Sequence, residues 1–140
     1  MGQSFKDLVA WQKATELTVA IYKLTAHFPD SERFGLTNQM RRAAVSVASN
    51  IAEGYGRSTK GEYHLFLGHA RGSCCELETQ LFVARKLGFG NPSDLDETEH
   101  LCNDVGRLLG ALMKSIHPKR SSVPQSLSPL VPQSLSPPVP

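Results

Sequence analysis

The three cysteines and five histidines are the side chains of this sequence with the widest chemical scope. A cysteine–histidine dyad needs both side chains on one face within hydrogen-bond reach. Cys75 and His64 are separated by three turns of one predicted helix, and His69 falls on a different face from Cys75. The thiols are therefore expected to be inert, and the sequence predicts no catalytic residue and no enzymatic activity.

A metal or phosphate site is not expected either. A di-iron bundle uses two Glu-x-x-His pairs and two further glutamates, but only Glu97 and His100 have that spacing here. Glu62 and His64 are too close in sequence to share a helical face. The sequence has no Cys-x-x-Cys zinc motif, and Gly54-Tyr55-Gly56 lacks the following lysine of a phosphate loop. No metal and no cofactor is predicted.

One polar segment is more informative. Ser46, Asn50 and Glu53 lie one turn apart along an edge of the second predicted helix. They are interpreted as a structural polar network that ties this helix end to its neighbours. A subunit contact or a ligand-binding edge remains the alternative.

Basic side chains occur in pairs and near predicted helix ends. The net charge of +2 is too small to indicate nucleic-acid binding by itself. In a ring-shaped oligomer, however, a modest patch would repeat around the axis and its field would grow. The candidate nucleic-acid-binding residues are Arg41, Arg42, Arg57, Lys60, Arg71, Arg85 and Lys86.

The elements that carry these side chains are predicted to be four helices, because the apolar residues recur in steps of three and four. Short connections favour an antiparallel up-down four-helix bundle over residues 1–118, an all-α fold. The four helices are predicted at Ser4–His27, at Ser31 or Thr37 to Glu53, at Thr59–Leu87 and at Ser93–Ile116.

Each helix has a predicted buried line. The lines are Leu17, Ile21, Leu24 and Phe28; Leu36, Met40, Ala43, Val47 and Ile51; Tyr63, Leu67, Ala70, Cys74, Leu77, Leu81 and Ala84; and Leu101, Val105, Leu108, Leu112 and Ile116. The third is a heptad seam. Trp11 and Tyr22 lie off the first line and are expected to be subunit contacts.

Helix ends are predicted from local chemistry. The predicted N-caps are Ser4 in a capping box with Asp7 for the first helix, Thr59 or Ser58 for the third, and Ser93 for the fourth; Glu62 would complete a capping box with Thr59. Glycines are expected to end helix two at Gly54 and Gly56, in the left-handed conformation, and helix three at Gly88 and Gly90. Gly68 and Gly72 interrupt helix three, which predicts close packing there.

The last part of the chain has a different composition. Residues 119–140 contain the duplicated segment Val-Pro-Gln-Ser-Leu-Ser-Pro, at Val123–Pro129 and Val131–Pro137. Proline lacks a backbone donor, so this low-complexity tail is predicted to be disordered. The sequence has neither a membrane-spanning run nor a secretory signal, and its odd cysteine count fits the cytoplasm.

Several segments resemble one protein family. They are Phe5–Ala14, Ile21–Thr25, Phe28-Pro29, Phe34–Leu36, Gln39–Ala43, Ser46, Asn50–Gly54, Arg57, Gly72-Ser73 and Glu76-Leu77. Over about residues 4–117 the chain resembles the four-helix bundle proteins encoded in intervening sequences of bacterial 23S rRNA genes. It is also similar to the accessory variability protein of diversity-generating retroelements.

The resemblance implies a homopentameric barrel of bundles with a basic surface. It also implies RNA and a reverse transcriptase as partners in the retroelement relative, and it supplies no catalytic residues. Together with the basic pairs, it predicts a non-enzymatic oligomeric protein that binds structured RNA or another nucleic acid. The alternative is a protein-interaction scaffold or adaptor with no direct nucleic-acid contact.

Overall fold

The computed structural model describes residues 4–117, and all regular structure in that range is helical. The four helices are α1 (Val9–Thr25), α2 (Leu36–Tyr55), α3 (Lys60–Leu87) and α4 (Pro92–Ser115), with short 3-10 turns at Phe5–Asp7 and Asp30–Glu32. The predicted four-helix, all-α fold is confirmed. The predicted tail and its duplicated segment lie outside the described residues.

Neighbouring helices run antiparallel. Thr18 on α1 donates to the carbonyl of Ala44 on α2, and Ser46 on α2 shares a hydrogen bond with Ser73 on α3. The thiol of Cys102 on α4 points at the carbonyl of Cys74 on α3. Helix α4 in turn packs on α1 and closes the ring. The chain is therefore an up-down-up-down bundle around one core.

The predicted buried lines of α1, α2 and α3 are confirmed, apart from partly buried Leu36 and Tyr63 at their helix starts. On α4 the prediction was right for Val105, whereas Leu101 and Leu108 each fall one position before the buried Cys102 and Leu109. The buried line is Leu95, Thr98, Cys102, Val105 and Leu109. Leu101, Leu108, Leu112 and Ile116 flank it and are only partly buried. Both lines have helical spacing, so periodicity alone could not choose between them.

Two of the predicted N-cap residues, Ser4 and Ser93, are not the N-caps of α1 and α4. Ser4 and Asp7 do form a capping box, but it caps the 3-10 turn, and α1 begins only at Val9. The cap of α4 is Asn91, whose side chain accepts from the backbone of Ser93 and Asp94, with Pro92 in the first turn. Proline is favoured at that position because its missing N–H would be unpaired anyway. Thr59 caps α3 as predicted, accepting from Glu62 N.

The glycines follow the predictions only in part. Gly88 ends α3 with φ 77° and Gly90 follows with φ 81°, as predicted. Gly56, however, caps α2 with φ −82°, and Gly54 lies inside that helix. A Cβ on Gly54 would lie 2.9 Å from Phe66 Cβ, whereas a Cβ on Gly72 would meet nothing within 4 Å. The close approach is at Gly54, not at Gly72.

None of the helices in residues 4–117 combines the length and the hydropathy that crossing a membrane requires.

Candidate nucleic-acid interface

The seven basic candidates are spread along the bundle. Arg42 lies near the start of α2, whereas Lys60 begins α3 at the opposite end. Lys60 and Lys86 lie close to the two ends of α3, roughly 39 Å apart at ~1.5 Å per residue. The structure therefore does not bring the seven into one patch.

Three of the candidates are held by contacts within the chain. Arg41 donates from Nε to the buried Thr25 hydroxyl at 2.9 Å and stacks its guanidinium over the Tyr22 ring. Arg57 pairs with Glu53 at 2.9 Å and also stacks on Phe66.

Arg85 is held more tightly still. It bridges Asp96 and Glu99 on α4, at 2.7 Å and 3.1 Å. These two carboxylates raise the pKa of the Arg85 guanidinium, mainly because Glu99 and then Asp96 accept hydrogen bonds from it. Arg85 therefore joins α3 to α4 and offers a phosphate little uncompensated charge.

The other four are Arg42, Lys60, Arg71 and Lys86. None of them has a carboxylate partner within residues 4–117. Arg42, Lys60, Arg71 and Lys86 are all exposed, and the ammonium of Lys86 lies 5.5 Å from the Phe82 ring centroid. Only Arg71 lines the large groove described next.

A groove of about 920 Å³ runs between α3 and α4. We call it the α3–α4 groove. Arg71 contributes from α3, and Arg107 and Lys114 contribute from α4. Arg107 is paired with Asp104, and Glu78 is the one carboxylate among the lining residues of this part of the chain. His64 and His117, whose ring centroids are 5.4 Å apart, lie at the end near the α4 C-terminus.

Glycines keep this groove open. Gly106 and Gly110 are one turn apart on α4 and line it, and neither would bring a Cβ within 4 Å of a neighbour. Gly68 on α3 would approach only the tip of Met113, at 3.9 Å. Exposed glycines in a helix interior each lower helix stability by about 1 kcal/mol relative to alanine. Here they leave a shallow trough beside a row of cations.

Arg107 and Lys114 were missed as candidates. Along α4 and just beyond its end, five polar or glycine positions recur in steps of four and three: Asn103, Arg107, Gly110, Lys114 and His117. Such a stripe forms one helix face. The sequence contained this signal, but only the apolar stripe of α4 was followed.

The polar segment of α2 divides in two. Asn50 donates from Nδ2 to the carbonyl and to the hydroxyl of Ser46, and the Ser46 hydroxyl lies 2.9 Å from that of Ser73 on α3. Glu53 is exposed and faces Arg57 instead. Ser46 and Asn50 therefore link α2 to α3 as part of a structural network, and Glu53 is outside it.

The two aromatic residues predicted as subunit contacts, Trp11 and Tyr22, differ in their exposure to solvent. Trp11 is half-buried and meets the Phe5 ring edge-on, at 5.3 Å between centroids. Tyr22 is 43% exposed, and Val19, one turn earlier, and Val45 on α2 are exposed as well. Tyr22 and Val45 line the same cleft, and we call these two residues the α1–α2 apolar face. Val19 lines a different cleft, together with residues of α4.

The comparisons with known proteins agree with this architecture. A family model described as 23S rRNA-intervening sequence protein matches residues 6–111. A crystal structure from Bacteroides thetaiotaomicron VPI-5482, titled as a protein with unknown function from the S23 ribosomal protein family, superposes with a TM-score of 0.69 at 20% identity. The match covers 76% of this chain and 99% of that one. No curated protein is similar enough to this chain to count as a relative.

Proposed function

The chain belongs to the 23S rRNA-intervening sequence protein family, and on that basis we propose that it is a non-enzymatic protein that binds structured RNA along the α3–α4 groove. The observation that carries the proposal is the meeting of Arg71, Arg107 and Lys114 along one open trough. Guanidinium and ammonium groups are the usual partners of phosphate oxygens.

The charge of the groove supports RNA better than a neutral ligand. Arg71 and Lys114 have no carboxylate partner in the described part of the chain, and Asp104 offsets only Arg107. The rings that line the groove in the described chain are the imidazoles of His64 and His117, at one end. The rest of the groove displays backbone-binding cations without a ring for base stacking, which suits recognition by shape and phosphate contacts. The proposed binding is therefore strongly salt-dependent and weakly sequence-dependent.

The test is fluorescence anisotropy with a structured RNA, titrated with the full chain from low to physiological salt. The double variant Arg71→Glu/Lys114→Glu removes two groove cations. The matched double variant Arg42→Glu/Lys86→Glu makes the same charge change elsewhere. We expect the groove variant to lose at least tenfold in affinity and the matched variant to lose much less. Each lost phosphate contact should lower the log–log salt slope by roughly 0.7–0.9.

The outcomes separate the hypotheses. Equal losses in both variants would mean that net charge, not the groove, attracts RNA. Loss in the matched variant alone would move the interface to Arg42 and Lys86. Wild-type protein that does not bind at any salt concentration would overturn the proposal. Circular dichroism of each variant confirms that the helices are intact.

A protein-interaction scaffold is the second candidate, and one observation favours it. Helix α3 exposes large apolar side chains that its own bundle does not cover, at Leu65, Phe82, Val83 and Leu87. Of these four, Phe82 is an aromatic residue, a type that is enriched where proteins meet. Pull-downs with and without nuclease distinguish this function, because a protein partner survives nuclease and an RNA-mediated one does not.

A further inference from the structure

The three cysteines, unrelated in the sequence to any motif, meet at the α3–α4 groove. Cys74 on α3 is 3% exposed and Cys102 on the neighbouring helix α4 is 1% exposed. Cys75 is exposed on the surface of α3. All three are free thiols. Because Cys74 and Cys102 both line this groove, a small reagent that enters it reaches the buried pair.

The two buried thiols are close together. Cys102 Sγ lies 3.7 Å from the backbone carbonyl of Cys74, so its side chain points across the helix interface at the residue that carries the other thiol. The interaction with Cys102 lowers the pKa of Cys74, whereas the interaction with Cys74, followed by burial, raises the pKa of Cys102. Burial of both groups opposes ionisation, but Cys74 is the one whose thiolate the neighbour stabilises.

We propose that Cys74 and Cys102 form an oxidative modification site, in which a peroxide that enters the groove converts the pair into a disulfide linking α3 to α4. The proposal does not depend on RNA binding. It needs only the facing thiols and access through the groove.

The chemistry balances in two steps. The Cys74 thiolate attacks one peroxide oxygen, the O–O bond breaks, and the products are a sulfenic acid at Cys74 and hydroxide, which takes up a proton to leave as water. The Cys102 thiol then attacks the Cys74 sulfur. The S–S bond forms, the S–O bond breaks, and the Cys102 proton leaves with the hydroxyl as a second water. Two thiols are oxidised and one peroxide is reduced.

Cys75 serves as the internal control. It is adjacent to Cys74 and exposed, but its side chain is about 100° around α3 from that of Cys74, so it does not face Cys102. An exposed thiol with no facing partner can be alkylated or oxidised but cannot join this cross-link.

The experiment treats the reduced full chain with hydrogen peroxide, blocks remaining thiols by alkylation, and maps disulfides by mass spectrometry after tryptic digestion. Cleavage at Arg71 and Arg85 releases one peptide with Cys74 and Cys75, and cleavage at Lys86 and Arg107 releases the peptide with Cys102. We expect these two peptides to be joined in wild type and in Cys75→Ser, but not in Cys74→Ala or Cys102→Ala. Dithiothreitol should release them.

The opposite results are equally clear. A cross-link that persists in Cys74→Ala and disappears in Cys75→Ser would place the disulfide at Cys75 and overturn the assignment. Oxidation confined to Cys75, or disulfides only between chains, would overturn it as well. The wild-type and Cys75→Ser proteins retain both core thiols, so the decisive comparison does not depend on whether the alanine variants fold.

Discussion

At the scale of single residues, steric space decides what glycine does in this bundle. Gly54 sits where α2 passes close to α3, and a Cβ there would lie 3.1 Å from Tyr63 Cδ1 in addition to the Phe66 contact. Gly72 is also a glycine within a helix, but a Cβ there would face open space. Only the first is required by the packing.

This contrast gives the first prediction. Gly54→Ala should lower the free energy of unfolding by about 1–3 kcal/mol, because α2 and α3 must separate to admit the methyl group. Gly72→Ala should raise it by roughly 0.5–1 kcal/mol, since alanine restricts the unfolded chain and favours helix. Urea unfolding of both variants is the measurement. Equal effects of the two substitutions would contradict the close approach at Gly54.

Tyr63 gives a second prediction, on pH. Burial, and secondarily the charge of Tyr55, raise the pKa of Tyr63 above its ordinary 10.0. Folding then favours the neutral phenol. The stability from this group is complete below about pH 10 and is lost as the pH rises through the folded pKa. Unfolding measured at about pH 8 and about pH 11 should show a loss that is smaller in Tyr63→Phe. An identical loss in that variant would contradict it.

At the scale of elements, the helix ends show what local chemistry can and cannot predict. At the start of α3 both Ser58 and Thr59 could cap the helix, and Thr59 does so; Gly88 ends the helix as predicted. At the start of α4, both Asn91 and Ser93 are good N-caps. Pro92 between them decides, since it fits the first helical turn and leaves Asn91 just outside it.

The third prediction follows from this assignment. Asn91→Ala should cost about 1 kcal/mol, because the Ser93 and Asp94 amides lose their acceptor. Ser93→Ala, within the first turn of α4, should change stability by less than about 0.5 kcal/mol. Thermal or urea unfolding distinguishes the two. A larger loss in the Ser93 variant would restore that residue as the cap.

The same scale explains how much of the fold and the site the sequence could predict. Four helices and three of the four buried lines follow from spacing alone. The α4 line does not, because two neighbouring apolar stripes compete and only packing against α1 and α3 selects Cys102 and Leu109. The α3–α4 groove was also beyond reach, because Arg71 and Lys114 are distant in sequence and only the bundle brings their helices together. For the same reason, the sequence alone could not show that Asp96 on α4 pairs with Arg85 on α3.

At the scale of the whole molecule, surface that the single bundle leaves uncovered bears on assembly. The α1–α2 apolar face presents Tyr22 and Val45 to solvent, and both line a cleft of about 520 Å³ together with Arg41 and Arg42. Arg41 holds the Tyr22 ring in place from one side. A fixed aromatic ring with an apolar neighbour and a polar rim is the composition of a protein interface core.

The last prediction concerns oligomeric state. We expect light scattering to give the full chain a mass that is a multiple of 15.3 kDa, with five copies as the number that the family resemblance implies. Tyr22→Glu should shift this mass towards one copy, because it removes the aromatic ring at the centre of the proposed interface. Thr79→Glu, the same charge change on exposed α3 surface, should leave the mass unchanged. Wild-type protein of monomer mass would refute assembly itself, whereas an oligomer unaffected by Tyr22→Glu would place the subunit contact on another face.

Because repeated grooves around an axis reinforce their field, a monomeric Tyr22→Glu protein should also bind RNA more weakly, although its own α3–α4 groove is intact.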